Sequence, residues 1–280
     1  MRTVRDLTDL RAVLGEWRAE GARIALVPTM GALHAGHMAL VEAARRPGTK
    51  VVASIFVNPK QFGLGEDLGR YPRREAADTR LLTEAGCDLL WLPPVEVMYP
   101  AGFATNISVA GVSEHFDGAA RPGHFDGVAT VVTKLFNQTR ADAAYFGEKD
   151  YQQLAVIRRF VADLDIAIDI VGVPTQRDDD GLALSSRNIY LDEGERAKAV
   201  ALPRALGIAA RAITKGDDPA AALADATATL MGAGFEVDYV ALADAETLAP
   251  DPAADRPRRL LAAARMGQTR LIDNIAIEPN

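Results

Sequence analysis

From Ile24 to Val173, short apolar runs alternate with segments of helical spacing. Strands read at Ile24–Val27, Val51–Val57, Asp88–Leu92 (stopped by Pro93 and Pro94), Ala143–Phe146 and Ile166–Val173. Helical patterns lie between them at Met38–Arg45, Arg73–Ala85, Val128–Asn137 and Tyr151–Ala162. Strands that read as apolar throughout are buried on both faces, and strands separated by helices pair in parallel through crossovers. Because such crossovers are right-handed, the expectation is an α/β fold, a Rossmann-like wound parallel sheet with helices on both faces. Ligands of such sheets bind beyond the carboxyl ends of the strands.

The pattern changes near Pro174. A long Ala-rich helix follows, with Asp192 as its expected cap and Pro203 as its expected kink. A second helix reads from Pro219 to Met231, and strand-like runs follow at Val237–Ala241, Leu260–Arg265 and Thr269–Ile277. The expectation is a domain of residues 1–175 followed by a smaller α+β domain of residues 176–280. With 280 residues and 49% apolar composition, the chain can fill two cores. A formal charge of −7 means that any anion site must come from local groups. The absence of a long Lys/Arg run disfavours a nucleic-acid partner. Cys87 is the single cysteine, which rules out an internal disulfide and a cysteine-based zinc cage; beside a strand it reads as a buried, inert thiol. No apolar stretch is long enough to span a bilayer, and the first residues lack the apolar core of a signal peptide, so the expected location is the cytoplasm.

Three segments carry chemistry. Met30-Gly31-Ala32-Leu33-His34-Ala35-Gly36-His37 follows a strand and opens a helix. Its glycines allow close backbone approach, its two histidines share one face of a first turn, and a helix N-terminus supplies unpaired N–H groups. Imidazoles beside such a terminus suit a phosphate whose charge grows during reaction. A metal site is disfavoured because no third ligand lies nearby. Gly147-Glu148-Lys149-Asp150, followed by Gln152 and Gln153, occupies a second strand-to-helix junction. Lys149 could hold a phosphate, Asp150 a ribose hydroxyl and Gln153 a small polar substrate. By composition alone a charged turn capped by Asp150 would read the same. Leu184-Ser185-Ser186-Arg187 offers hydroxyls and a guanidinium that could grip a triphosphate, although by composition alone it is an ordinary polar turn. Gln61 follows the second strand at the ligand edge, and Arg121 and His124 lie in a Gly/Pro-rich loop. Asp78 reads as a surface acid on a helix, and His115 as structural or exposed. Neither a P-loop nor a G-x-G-x-x-G pattern is present, which argues against a P-loop kinase and a standard NAD domain.

In order along the chain, Pro28–His37, Phe56–Phe62, Arg121–Val128, Phe146–Gln153 and Gly181–Asn188 resemble the motifs of the pantothenate synthetase family, and Thr269–Asn274 resembles its ending. The first motif alone is shared more widely, so taken alone it leaves open another nucleotidyltransferase or a non-catalytic nucleotide-binding module. The resemblance implies an ATP-dependent condensation of (R)-pantoate with β-alanine through a pantoyl-adenylate, releasing AMP and pyrophosphate. It implies ATP contacts from Met30 to His37, from Gly147 to Asp150, at Gln176 and from Leu184 to Arg187. His34, His37, Lys149 and Arg187 would carry the catalysis, and Gln61 and Gln153 would bind pantoate, with Gln61 also near β-alanine. The resemblance further implies Mg²⁺, with Asp78 as a candidate ligand, and a homodimer.

Overall fold

The computed structural model describes residues 1–63, 65–250 and 252–279. Its elements are β1 (Arg2–Val4), α1 (Leu7–Ala19), β2 (Arg23–Thr29), α2 (Ala35–Ala44), β3 (Thr49–Ile55), α3 (Glu75–Glu84), β4 (Leu89–Trp91), α4 (Val95–Met98), α5 (Asp117–Ala120), α6 (His124–Thr139), β5 (Ala143–Gly147), α7 (Tyr151–Asp163) and β6 (Asp169–Val173). Then follow α8 (Glu193–Ala199), α9 (Ala201–Thr214), α10 (Pro219–Gly232), β7 (Glu236–Asp244), β8 (Arg258–Met266) and β9 (Thr269–Ile277). The chain divides into two compact units. One comprises Met1–Val109, Arg121–Glu148 and Val156–Pro174; the other comprises Ala110–Ala120, Lys149–Ala155 and Thr175–Asn280.

The first unit is built on a six-stranded sheet in the order β1-β4-β3-β2-β5-β6, with every described pairing parallel. Counted from β2, the five strands after the β1 edge follow the Rossmann order 3-2-1-4-5, so the order reverses between β2 and β5. These neighbours pair at Ala25 with Ala143 and Leu26 with Ala144, and their carboxyl ends lead into Met30 and into Gly147–Glu148. The strands are apolar because both faces are covered: Ile24, Leu26, Val27, Val52, Leu89, Leu90 and Trp91 are all fully buried. Cys87 lies in this core at 4% exposure, where burial pushes its thiol up to about 11.

The second unit contains the antiparallel sheet β7-β8-β9. Leu260, Ala262 and Ala264 on β8 pack with Leu202, Leu206 and Ala209 on α9 and with Ala226 and Leu230 on α10. Small alanines on the facing surfaces let helices lie close to the sheet.

Several details differ from the sequence-based expectation. β1 and α1 precede the first expected strand. β1 is too short to show a period and exists by pairing Arg2–Val4 with Leu89–Trp91. In α1 only Leu10, Val13 and Leu14 are buried, on a helix capped by Asp6. β3 ends at Ile55 and β6 begins at Asp169, because partner strands and not local apolarity set their limits. Asp192 does cap α8, in a capping box with Glu195. The expected kink at Pro203 takes the form of a break at Val200, three residues before it: Pro203 has no N–H for the Ala199 carbonyl, and it lies in the first turn of α9.

Candidate active site

The loop after β2 has a backbone that the sequence pattern only partly foretells. Gly31 has φ +85° and Ala32 has φ +51°, so two successive residues are left-handed. Asp78 holds them there. It is 2% exposed on α3, its Oδ2 accepts from the Ala32 N–H (2.9 Å) and its Oδ1 from the Leu33 N–H (2.8 Å). A Cβ on Gly31 would lie 3.1 Å from Asp78 Oδ2 and 3.2 Å from Ile55 Cγ2, so glycine is needed for space as well as for φ. The reading of Asp78 as a surface acid is therefore corrected. The local signal was an acid in the same helix as Leu82, one turn before it, and both are buried. Its two oxygens serve backbone donors, and among the described residues no group of three or more His, Cys, Asp or Glu side chains could hold a metal ion.

His34 and His37 then cap α2. The Gly36 N–H donates to His34 Nδ1 (3.2 Å), and the His34 N–H donates to His37 Nδ1 (3.3 Å), forming a capping box from two imidazoles. An Nδ1 that accepts carries no proton, so each neutral ring bears its proton on Nε2. The rings lie 4.1 Å apart and are tilted by 52°. Half-buried at the end of β2, they are brought together by the helix start itself.

Gln61 belongs to the same unit. Following β3, Asn58 starts a 3-10 turn at Pro59–Gln61. Asn58 is 1% exposed; its Nδ2 donates to Gln61 Oε1 (3.0 Å) and to Gly127 O (3.0 Å), and its Oδ1 accepts from Tyr99 Oη (2.7 Å). With Oε1 engaged, Gln61 Nε2 is the donor end of the amide, pointing to the soft sulfur of Met30 at 3.2 Å. Arg121 and His124 fix the main chain of this turn. His124 Nδ1 donates to Gln61 O (2.8 Å), while its Nε2 accepts from Arg121 Nη1 (3.1 Å). Arg121 also binds Glu66 through two hydrogen bonds (2.7 and 2.6 Å) and reaches Gln61 O (3.3 Å). Burial pushes the Glu66 carboxyl up, but the bonds and charge of Arg121 outweigh it and hold the group below its ordinary value. Gly127 completes the contact, since a Cβ there would overlap the Lys60 carbonyl and sit 2.7 Å from Gln61 N.

Lys149, Asp150, Gln153, Gln176 and Leu184–Arg187 fall in the second unit. Lys149 Nζ lies 3.8 Å from Asp150 Oδ2, and the Asp150 side chain is the more exposed of the two. Gln153 is half-buried. Its neighbour Gln152 is buried and structural: its Nε2 donates to the carbonyls of Val112 and His115, and its Oε1 accepts from the Asp117 N–H. The exposed His115 thus contributes its carbonyl. The Gln176 carbonyl accepts from the Leu184 N–H (2.9 Å), next to the bridge between Arg177 and Ala183. Ser185 Oγ accepts from the Arg187 N–H (3.2 Å) and caps a 3-10 turn at Ser186–Tyr190. The first unit therefore gathers Met30–His37, Gln61, Asp78, Gly147 at the end of β5 and Glu148 just after it, and the second holds Lys149, Asp150, Gln153, Gln176 and Leu184–Arg187. Asn58, Asp78, Tyr99 and Gly127 were missed as site-shaping residues. Buried polar side chains within strand ends and helices give no periodic signal.

A family model described as pantoate-beta-alanine ligase matches residues 2–276. The chain is 68% identical over 280 residues to the pantothenate synthetase of Rhizorhabdus wittichii, covering 100% of this chain and 99% of that one. It is 57% identical over 278 residues to that of Sphingopyxis alaskensis, covering 99% and 100%. The fold is similar to the crystal structure of pantothenate synthetase from Thermus thermophilus, with a TM-score of 0.93, 50% identity and full coverage of both chains. It is also similar to a Francisella tularensis pantoate-beta-alanine ligase complexed with beta-gamma ATP and beta-alanine, with a TM-score of 0.84, 32% identity and coverage of 98% and 97%.

Proposed function

Because this chain belongs to the pantoate–β-alanine ligase family, we propose that its candidate residues serve the formation of an adenylate. The chain is an AMP-forming ligase that makes pantothenate from pantoate and β-alanine with ATP. A carboxylate does not acylate an amine in water because oxide is a poor leaving group. In the proposed route the pantoate carboxylate attacks the α-phosphorus of ATP, and the bond to pyrophosphate breaks. The amine of β-alanine then attacks the acyl carbon of the mixed anhydride; AMP leaves with the C–O bonding pair and the amine gives up a proton. No protein nucleophile is required.

The observation that carries this reading is the imidazole capping box. Its two Nδ1 atoms accept from backbone N–H groups, and in this proposal the Nε2 atoms face the charge that grows on phosphate oxygens. Lys149 and Arg187 supply fixed positive charge for the same phosphates. Met30–Ala35, Gly36, Gly147, Glu148, Asp150, Gln176 and Leu184–Ser186 line the nucleotide in this proposal. Gln61 and Gln153 bind pantoate, and Gln61 Nε2 exchanges its contact with the Met30 sulfur for a substrate oxygen. Both Asp78 oxygens are engaged by backbone donors, so the residues present do not fit a protein-held Mg²⁺ there, and the ion is assigned to the triphosphate as it arrives. The proposal also includes residues 1–175 and 176–280 as two domains, a homodimer and a cytoplasmic location.

Pantoate-dependent exchange of pyrophosphate into ATP isolates the first step. His37→Ala and Lys149→Ala should each lower it by ~10²–10³ with the fold intact. Unchanged exchange in both variants would remove these residues from the mechanism.

A further inference from the structure

Lys149 lies in the 3-10 turn Glu148–Asp150 that leads into α7, and its main chain is fixed by a residue far along the sequence. The Asn274 Nδ2 on β9 donates to the Lys149 carbonyl at 2.8 Å. Asn274 is only 3% exposed, so its amide orientation must be set by other partners. Arg259 sets it: the Arg259 Nε donates to Asn274 Oδ1 at 2.7 Å, which leaves Nδ2 as the end facing Lys149. Arg259 and Asn274 are diagonal neighbours on paired strands, since Arg259 pairs with Ala276 and Asn274 with Leu261. The Arg259 guanidinium also stacks 4.0 Å over the ring of Tyr151, whose hydroxyl donates to Ala245 O at 2.8 Å. The first residue of α7 is thus pinned to the same sheet that holds the Lys149 carbonyl.

The residue before Asn274 serves the other phosphate segment. Asp273 is 2% exposed and binds Arg177 through both oxygens, at 2.7 and 2.8 Å, and its Oδ1 accepts from the Asn274 N–H at 2.7 Å. Arg177 also donates to Gly181 O at 3.0 Å, across the turn that leads back to Ala183 and on to Leu184–Arg187. One dipeptide of β9 therefore holds both the Lys149 segment and the turn that precedes Arg187.

We propose that Asn274, oriented by Arg259, is a positioning residue for the first half-reaction. It fixes the Lys149 main chain so that the ammonium meets the phosphates without searching for its place. This inference rests on the proposed role of Lys149. The test is a double-mutant cycle on pantoate-dependent ATP–pyrophosphate exchange, using Asn274→Asp and Lys149→Ala singly and together. Asn274→Asp keeps the shape and the oxygen facing Arg259, and it replaces the donor to the Lys149 carbonyl with an acceptor. It should lower kcat of exchange by at least about tenfold in the parent chain and by less than about twofold in the Lys149→Ala background. A loss of equal size in both backgrounds, or no loss in the parent chain, would overturn the inference. Lys149→Ala exchanging at the parent rate would overturn instead the role of Lys149 on which it rests. If Asn274→Asp lacks a native melting transition, Arg259→Lys takes its place under the same criteria, because a lysine cannot reproduce the fixed fork that orients the amide.

Discussion

His34 and His37 have a capping role and a proposed chemical role, and substitution can separate the two. Asparagine caps helices well, so His34→Asn should keep the melting temperature within ~3 °C of the parent while exchange falls. If exchange and melting temperature fall together, the imidazole contributes only as a cap. At Asp78 the expected result is the opposite. Asp78→Asn turns one acceptor toward a backbone N–H into a donor, in a site 2% exposed. The expected cost is about 1–3 kcal/mol in denaturant unfolding, because a buried donor loses its partner. Exchange should fall as well, since the left-handed turn at Gly31 and Ala32 loses its clamp. A variant as stable as the parent would show that the clamp is dispensable. Neither role of Asp78 could be read locally, because its partners, Ala32 and Leu33, are distant in sequence.

At the scale of elements, α6 and the turn at Pro59–Gln61 depend on each other. Gly127→Ala would drive a Cβ into the Lys60 carbonyl, and the turn must shift to admit it. The expected outcome is a loss of about 1–3 kcal/mol, as for other overpacked contacts, with a raised KM for pantoate. An unchanged KM would remove Gln61 from the pantoate site. Glu66 adds a pH dependence to the same region. Its carboxyl is held below the ordinary value, so the folded state binds its proton less readily than the unfolded chain does. The resulting stability is present above the ordinary carboxylate range and is lost as pH falls through the lowered value. Glu66→Gln should therefore make the acid limb of the stability curve shallower, as measured by denaturant midpoints across that range. The His-Arg loop stood in the sequence as isolated polar residues. Its function as a clamp needs the pairings of Arg121 with Glu66 and of His124 with Gln61 O.

On the scale of the whole molecule, Cys87 reports global opening. Its thiol is buried beneath the parallel sheet and pushed up to about 11, and its single S–H lies within reach of two acceptors, Val51 O at 3.4 Å and Leu89 O at 3.3 Å. A thiol reagent at neutral pH should label it only as fast as the first unit unfolds, and urea should accelerate labelling in step with unfolding. Rapid labelling of the native protein would show that the edge beside β4 opens locally. The second unit leaves this reporter untouched, so its own stability needs a separate probe.

The alternation of apolar strands with helices determined the wound parallel sheet, because only crossovers can join parallel strands and only buried strands are apolar on both faces. The ordered motifs pointed to the ligase family and to the histidines at the start of α2, where capping is a local property of a few residues. Tertiary structure alone decided the rest. Asp78 reaches Ala32 from another helix, Arg121 and His124 reach Gln61 across the sheet's connections, and Asn274 reaches Lys149 from the last strand. Each of these is a single hydrogen-bond donor or acceptor whose partner lies far away in the chain. A buried polar residue repeats with no period, so its purpose becomes visible only when the fold brings its partner within about 3 Å.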